Sequence, residues 1–237
     1  MAETIVLLHG FSATHRTWDR VLARLDGERY RPLALDLRGH SFAECVAEVL
    51  DAAPARFALC GYSMGGRIAQ HVALAAPERI TRLVLVSTTA GIDDAGERAA
   101  RSAADDELAT RLEQGTIEEF AARWAQQPLF ADDPGWVAEE ARTDAARNDP
   151  RALAAALRGL STGAMQPLWD RLGELTMPAA VLVGERDAKF RALGERLAAT
   201  LPDARLEVVP GVGHRVHLEA PEALARAIER GPGSGAN

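Results

Sequence analysis

The sequence reads FALCGYSMGGRIAQHVALA over residues 57–75. A short apolar run comes first, a Gly-x-Ser-x-Gly motif follows at Gly61, Ser63 and Gly65, and apolar residues then recur at helical spacing. A serine at a sharp strand-to-helix turn needs small neighbours, and the turn holds its hydroxyl clear of the sheet at the positive end of a helix. The pattern therefore predicts a nucleophilic Ser63, with an incidental serine in a glycine-flanked turn as the alternative.

Strands and helices alternate outward from this turn. Apolar runs typical of buried strands also occur at residues 5–9, 31–37, 83–87, 179–184 and 205–209. With helical spacing between them, the runs predict an α/β fold whose mostly parallel sheet is covered by helices on both faces. Alanine-, arginine- and glutamate-rich stretches interrupt this rhythm and predict an inserted helical lid. We expect residues 1–90 and 164–237 to form the core and residues 91–163 to form the lid.

The composition indicates an ordinary globular protein of 237 residues. Its formal net charge of −7 argues against nucleic acid as a partner. The whole excess lies in residues 90–166, which contain 15 acidic residues and 8 arginines. The sequence has neither a long apolar run nor a signal-peptide pattern, so we expect a cytoplasmic protein that does not bind membranes. We expect it to be a monomer or a homo-oligomer. Cys45 and Cys60 are expected to be buried free thiols.

A serine nucleophile needs a base, and the base needs a partner that fixes its tautomer. His214 follows the last predicted strand, and Asp187 follows the strand before it. Because the carboxyl ends of parallel strands share one edge of a sheet, both side chains can converge on Ser63 there. The order Ser63, Asp187, His214 is also the chain order of the α/β-hydrolases. We expect His9 and His40, in loops after earlier strands, to be structural.

Negative charge that develops on a substrate oxygen needs hydrogen-bond donors. The segment His9-Gly10-Phe11 follows the first predicted strand, so the backbone N–H of Phe11 is one candidate donor. The N–H of Met64, directly after the nucleophile, is the second. The alternative is that His9-Gly10-Phe11 is only a tight loop.

Together these residues resemble the α/β-hydrolase superfamily over nearly the whole chain. More specific motifs resemble one family within it, the 2-succinyl-6-hydroxy-2,4-cyclohexadiene-1-carboxylate synthases of menaquinone synthesis. These motifs are WAQQPLF at residues 124–130, GAMQPLW at 163–169, GERDAKF at 184–190, and the spacing His214-x-x-His217-x-Glu219.

The resemblance implies a carbon–oxygen lyase that removes a proton from a succinyl-bearing cyclohexene carboxylate and expels pyruvate. Ser63, activated by His214 and oriented by Asp187, would be the base, and no metal or organic cofactor is implied. The substrate would be a small anionic molecule, which arginine guanidinium groups suit well. The implied substrate-binding residues are Tyr62, Arg67, Arg101 and Trp124.

The sequence departs from the family pattern at three places. Ala145 stands where the family has a further lid arginine, and Arg142 or Arg147 is the candidate to replace it. Arg215 follows the predicted base where the family usually has asparagine. The segment at residues 36–41 lacks the usual second glycine and precedes a short loop.

Two other functions use the same residues. A carboxylesterase or carbon–carbon bond hydrolase acting on a small acid would use Ser63 or an activated water as nucleophile. A non-catalytic binding protein on this scaffold is the third reading. It is disfavoured because all three predicted triad residues are present.

Overall fold

A computed structural model describes residues 2–230 of the chain. Its centre is a parallel six-stranded sheet with the order β2-β1-β3-β4-β5-β6. The strands are β1 (Glu3–Leu8), β2 (Tyr30–Leu35), β3 (Phe57–Tyr62), β4 (Ile80–Val86), β5 (Ala179–Gly184) and β6 (Ala204–Val209).

Helices connect the strands and cover the sheet. They are α1 (Asp19–Leu22), α2 (Phe42–Ala52), α3 (Met64–Ala75), α4 (Ala95–Gln114), α5 (Ile117–Trp124), α6 (Gly135–Ala145), α7 (Pro150–Gly159), α8 (Ala188–Thr200), α9 (Val216–Glu219) and α10 (Pro221–Glu229). The α/β architecture predicted from the sequence is confirmed. Within residues 2–230, no helix combines the length and apolar character that crossing a bilayer requires.

The two faces of the sheet bury alternate residues of each central strand. On β1, Val6 and Leu8 pack in the core beneath α2, α3 and α8, while Ile5 and Leu7 pack in the core beneath α1 and α10. This follows from the two-residue period of a strand, and it explains why the central strands read as unbroken apolar runs. Cys45 and Cys60 are buried free thiols, as expected.

Between β4 and β5 the chain forms the helices α4 to α7, which have an apolar cluster of their own. Ala109 and Leu112 of α4 pack there with Phe120 of α5 and Leu157 of α7. Helix α5 begins with a capping box in which Thr116 and Glu119 each bond to the other's backbone N–H. The division into core and lid at residues 91–163 stays a prediction, and residues 231–237 at the end of the predicted core lie outside the described residues.

The strand order places a crevice above β1 and β3. The chain moves from β1 to β2 on one side and then returns to β3 on the other, so the connections after β1 and β3 diverge at their carboxyl ends. Such a switch point is where open α/β sheets bind their ligands. The segment after β1, Ser63 after β3 and the segments after β5 and β6 all lie at this edge.

Candidate active site

Ser63 occupies a strained turn between β3 and α3. Its φ of 51° and ψ of −109° lie in a region that costs a non-glycine residue about 1–3 kcal/mol. The surroundings hold this geometry: the Ser63 N–H donates to the Val86 carbonyl at 2.9 Å, and the Thr88 hydroxyl donates to the Ser63 carbonyl at 2.7 Å. A Cβ on Gly61 would lie 2.3 Å from the Gly65 carbonyl oxygen, so this turn requires glycine there.

The structure brings Ser63, His214 and Asp187 together. His214 Nδ1 lies 2.6 Å from Asp187 Oδ2, and His214 Nε2 lies 3.3 Å from Ser63 Oγ. Because a carboxylate only accepts hydrogen bonds, Nδ1 carries the proton and Nε2 is left to accept the proton of Ser63. The other Asp187 oxygen accepts from the Phe190 N–H at 3.1 Å, which fixes the carboxylate at the start of α8.

Aromatic side chains surround the base. The rings of Phe190, Tyr62 and Phe130 lie 4.4, 5.4 and 5.9 Å from the His214 ring, centroid to centroid. His214 is only 1% exposed. His217 is also buried, but its Nε2 pairs with the Thr17 hydroxyl at 2.8 Å, away from the nucleophile. The enclosure excludes water from the base and strengthens its bond to Asp187.

The predicted oxyanion donors flank the nucleophile. Gly10 is so close to it that a Cβ there would lie 3.5 Å from the Ser63 Cβ and 2.6 Å from the Tyr62 ring. Phe11 and Met64 line the same cavity as Ser63. In the described part of the chain, the hydrogen bonds use neither the Phe11 N–H nor the Met64 N–H. Both donors are therefore available to a substrate oxygen.

A cavity of about 760 Å³ opens above the triad, between the sheet edge and the lid helices. Nine residues that the sequence predicts for the site line it: Phe11, Tyr62, Ser63, Met64, Arg67, Arg101, Trp124, Asp187 and His214. Trp124 packs edge-on against Phe11 with ring centroids 5.1 Å apart, so α5 and the segment after β1 together form one wall of the cavity.

Arg67 brings a buried positive charge to this cavity. The side chain is 8% exposed, and its Nη1 donates to the Leu160 carbonyl at 2.5 Å. Burial and, to a smaller degree, the neighbouring charge of Arg101 together lower the pKa of Arg67 to about 9, against the opposing charge of Asp105. Among residues 2–230 no carboxylate forms an ion pair with this guanidinium. The group remains charged at neutral pH and has hydrogen-bond donors to spare.

Arg101 is half-exposed, and neighbouring residues of the lid hold its guanidinium in place. Its Nε donates to Asp105 at 2.8 Å, and the Ser161 hydroxyl donates to the same carboxylate oxygen at 2.7 Å. The anchor uses the Nε donor and leaves the two terminal nitrogens of the guanidinium for the cavity. Neither Asp105 nor Ser161 could be identified from the sequence, because their role depends on a contact between segments that are distant in the chain.

Neither candidate for the missing lid arginine lies at the cavity. Arg142 pairs with Glu139 on the exposed face of α6, and Arg147 lies 3.9 Å from Asp144. Helix α6 buries Val137, Asp144 and Ala145 and leaves Arg142 exposed, and Arg147 lies in the turn after the helix. Neither of the two candidates for the family's arginine therefore lines this cavity.

An ion pair that sequence reasoning missed joins the lid to the loop of the base. Arg215 binds Asp133, both side chains are buried, and the guanidinium lies 3.7 Å from the Phe130 ring centroid. Arg186 adds a second link, to the Asp132 carbonyl. Arg215, which stands where the family usually has asparagine, therefore holds the lid segment around Asp133 against the loop that carries His214.

Fold and site together define an α/β-hydrolase enzyme with a serine–histidine–aspartate triad. The chain belongs to the Alpha/beta hydrolase family, whose pattern it matches over residues 5–227.

Comparison with known proteins narrows this assignment. A Salmonella agona (strain SL483) protein named 2-succinyl-6-hydroxy-2,4-cyclohexadiene-1-carboxylate synthase is 31% identical, over 96% of this chain and 92% of its own. A Bacillus subtilis (strain 168) protein that carries this name provisionally is 34% identical, over 96% and 89% of the two chains. The solved structure of MenH from S. aureus superposes with a TM-score of 0.89 at 30% identity, covering 96% and 92%.

Proposed function

We propose that this chain forms 2-succinyl-6-hydroxy-2,4-cyclohexadiene-1-carboxylate by eliminating pyruvate from a succinyl-bearing cyclohexene carboxylate. The names of its relatives indicate this product. The observation that carries the proposal is Arg67, a buried guanidinium without a carboxylate partner in the described structure, next to a complete triad. A buried charge is costly unless it is paired, so the site is built to receive an anion.

The triad supplies the base in this reaction. Ser63 passes its hydroxyl proton to Nε2 of His214, and Asp187 stabilises the imidazolium that forms. The activated Ser63 oxygen then takes a proton from the ring carbon adjacent to the succinyl ketone. The ketone oxygen gains negative charge, which the N–H groups of Phe11 and Met64 receive.

The elimination completes the balance of atoms and electrons. The electron pair of the broken C–H bond forms a new ring carbon–carbon double bond, the double bond already in the ring shifts along by one bond, and its electrons displace the oxygen of the pyruvyl group from the ring. The leaving group departs as the enolate of pyruvate. It takes up the proton held by His214, which returns the triad to its starting state.

The cationic side chains position the substrate. Arg67 can donate two parallel hydrogen bonds to one carboxylate, each worth about 1.5–3 kcal/mol. Arg101, held by Asp105, offers a second guanidinium on the lid side of the same cavity. Trp124 and Tyr62 line the same cavity and supply apolar surface for the six-membered ring of the substrate.

The decisive experiment is turnover of the succinyl-cyclohexene substrate by purified protein, with pyruvate release coupled to lactate dehydrogenase. We expect release well above background and a loss of at least about 10³-fold in Ser63→Ala, with little change in melting temperature. Pyruvate release no faster than the buffer rate would reject the proposal.

A second assay separates the lyase from a hydrolase. Rapid cleavage of p-nitrophenyl acetate with an acyl adduct on Ser63, detected by intact mass, would instead assign the esterase function. A cytoplasmic location belongs to the proposal, supported by the two buried free thiols, and cell fractionation tests it.

A further inference from the structure

The peptide that joins Gly10 to Phe11 has two ends with different surroundings. Its N–H, on Phe11, is the oxyanion donor proposed above. Its carbonyl, on Gly10, accepts a hydrogen bond from the His9 ring, with Nδ1 and oxygen 2.8 Å apart. The Ala13 N–H also donates to this carbonyl, at 3.2 Å. What holds the carbonyl therefore also sets the direction of the N–H.

The tautomer of His9 follows from its two partners. The Leu37 N–H, just beyond β2, points to Nε2 at 3.1 Å, and a backbone N–H can only donate. Nε2 is therefore the acceptor and Nδ1 carries the proton, which it donates to the Gly10 carbonyl. His9 bridges the loops that follow β1 and β2, and it is buried, with 6% of its surface exposed.

The geometry of the peptide links this bond to the site. The peptide is trans, so its carbonyl and its N–H point in opposite directions. With the carbonyl fixed on the His9 side, the N–H is turned to the other side. A hydrogen bond accepted by the carbonyl also polarises the peptide and makes its N–H a stronger donor.

The loop does not keep this shape by itself. Ser12 has a φ of 64°, a left-handed conformation that a non-glycine residue adopts at a cost of about 1–3 kcal/mol. From the lid, Asn148 donates to the Ser12 carbonyl at 3.1 Å, and Asp144 accepts from the Thr14 N–H at 2.8 Å. The loop is held from the lid on one side and by His9 on the other.

We infer that His9 is a positioning residue for catalysis: its Nδ1–H fixes and polarises the Gly10–Phe11 peptide so that the Phe11 N–H is aimed at the developing oxyanion. This rests on the proposed role of Phe11 as a donor and not on the identity of the substrate. It replaces the expectation that His9 is only structural.

Burial of the ring keeps it in the required form. Desolvation lowers the pKa of His9, and the charge of His15 acts in the same direction. The bond to Gly10 and the charges of Asp36 and Asp144 act the other way. The net lowering leaves the imidazole neutral at neutral pH, with one donor and one acceptor nitrogen. A protonated ring would present a second N–H to the Leu37 N–H.

Two substitutions separate the two bonds of His9. In His9→Asn the side-chain amide nitrogen can occupy the Nδ1 position and keep the donor to Gly10. In His9→Gln the amide oxygen can occupy the Nε2 position and keep only the acceptor for Leu37. We expect kcat to fall about 10–100-fold in His9→Gln with KM nearly unchanged, and to stay within about threefold of wild type in His9→Asn.

Melting temperature and NMR provide the readouts that do not depend on turnover. The imidazole ¹⁵N shifts of wild-type His9 should show a protonated Nδ1, and the Phe11 amide signal should move in His9→Gln more than in His9→Asn. A protonated Nε2, or kcat losses in the two variants that simply follow their melting temperatures, would overturn the inference. Failure of the succinyl-cyclohexene assay would not, because these measurements apply to whichever reaction the triad catalyses.

Discussion

Replacement of Arg67 by methionine is expected to make the protein more stable and much less active. Methionine replaces the aliphatic part of the arginine with an unbranched apolar chain, but it removes the charged guanidinium, whose carbon lies 5.7 Å from the Phe42 ring centroid. Stability and activity should therefore move in opposite directions. This is the behaviour of a residue that is retained for binding at the expense of folding.

The size of the stability gain follows from the pKa of Arg67. Burial lowers it from 12.5 to about 9, and at about 1.4 kcal/mol per unit the buried charge costs on the order of 5 kcal/mol. The cost is fully present below pH 9, where the guanidinium is charged in both the folded and the unfolded chain. Loss of the hydrogen bond to the Leu160 carbonyl reduces this gain in the free energy of unfolding by about 1–3 kcal/mol. A net gain of about 2 kcal/mol would raise the melting temperature by roughly 4–8 °C for a chain of this length.

The loss of activity follows from the hydrogen bonds to the substrate. Two charge-assisted bonds from a guanidinium to one carboxylate contribute about 3–6 kcal/mol. Their removal should lower kcat/KM about 10²–10⁴-fold. Most of the effect should be in KM if the bonds form equally in the ground state and the transition state.

The assay compares thermal unfolding and kcat/KM for wild type, Arg67→Met and a matched control, Arg79→Met. Arg79 donates through one nitrogen to the carbonyls of Leu50, Ala53 and Pro54 at 2.9–3.0 Å and lies outside the cavity. The control should lose stability and keep its kcat/KM. An Arg67→Met protein that melts below wild type, or that keeps kcat/KM within threefold, would refute the reasoning.

Three shorter predictions follow from the same structure. Arg215→Asn leaves the buried Asp133 carboxylate unpaired and should cost about 3–5 kcal/mol in urea unfolding, part of which Asp133→Asn added to the same chain should restore. Burial raises the pKa of the Cys45 thiol to about 12, and burial also raises the pKa of the Cys60 thiol, so a disulfide reagent at pH 8 should react with neither until the protein is denatured. Because only the protonated form of Arg67 binds a carboxylate, the Kd of the product should rise above about pH 9, and Arg67→Met should abolish this rise.

The features that could be predicted from the sequence are those that local patterns determine. The bounds of β3 and α3 match the apolar run and the helical spacing around Ser63, because a glycine-rich turn between two periodic segments leaves little choice of register. Asp187 and His214 were identifiable because chain order and strand ends restrict the candidates. The helical spacing at residues 18–25 covers more than the helix that forms, since α-helix extends only over Asp19–Leu22.

The features that could not be predicted depend on contacts between distant segments. Arg215 and Asp133 are 82 positions apart, and nothing local marks either as half of a buried ion pair. That Arg142 and Arg147 lie away from the cavity could not be predicted either, because it depends on how α6 and the turn after it pack against the rest of the protein. His9 shows the same limit, since its role depends on the Leu37 N–H from the adjacent loop.

The net charge of −7 gives no guide to the chemistry of the cavity. Much of the acidic excess of residues 90–166 is bound in ion pairs on the lid surface, among them Asp93 with Arg196, Asp106 and Glu113 with Arg158, and Glu140 with Arg20. Charges exposed in this way are screened over about 8–10 Å at physiological salt. Inside the cavity, Asp187 is paired with His214, and Asp105 is paired with Arg101. Arg67 is therefore left as a buried charge without a counterion in the described structure. An anionic substrate therefore meets a positive site within an acidic protein, because a buried charge is screened little, while the exposed acidic side chains are screened by salt and some are paired with arginines outside the segment.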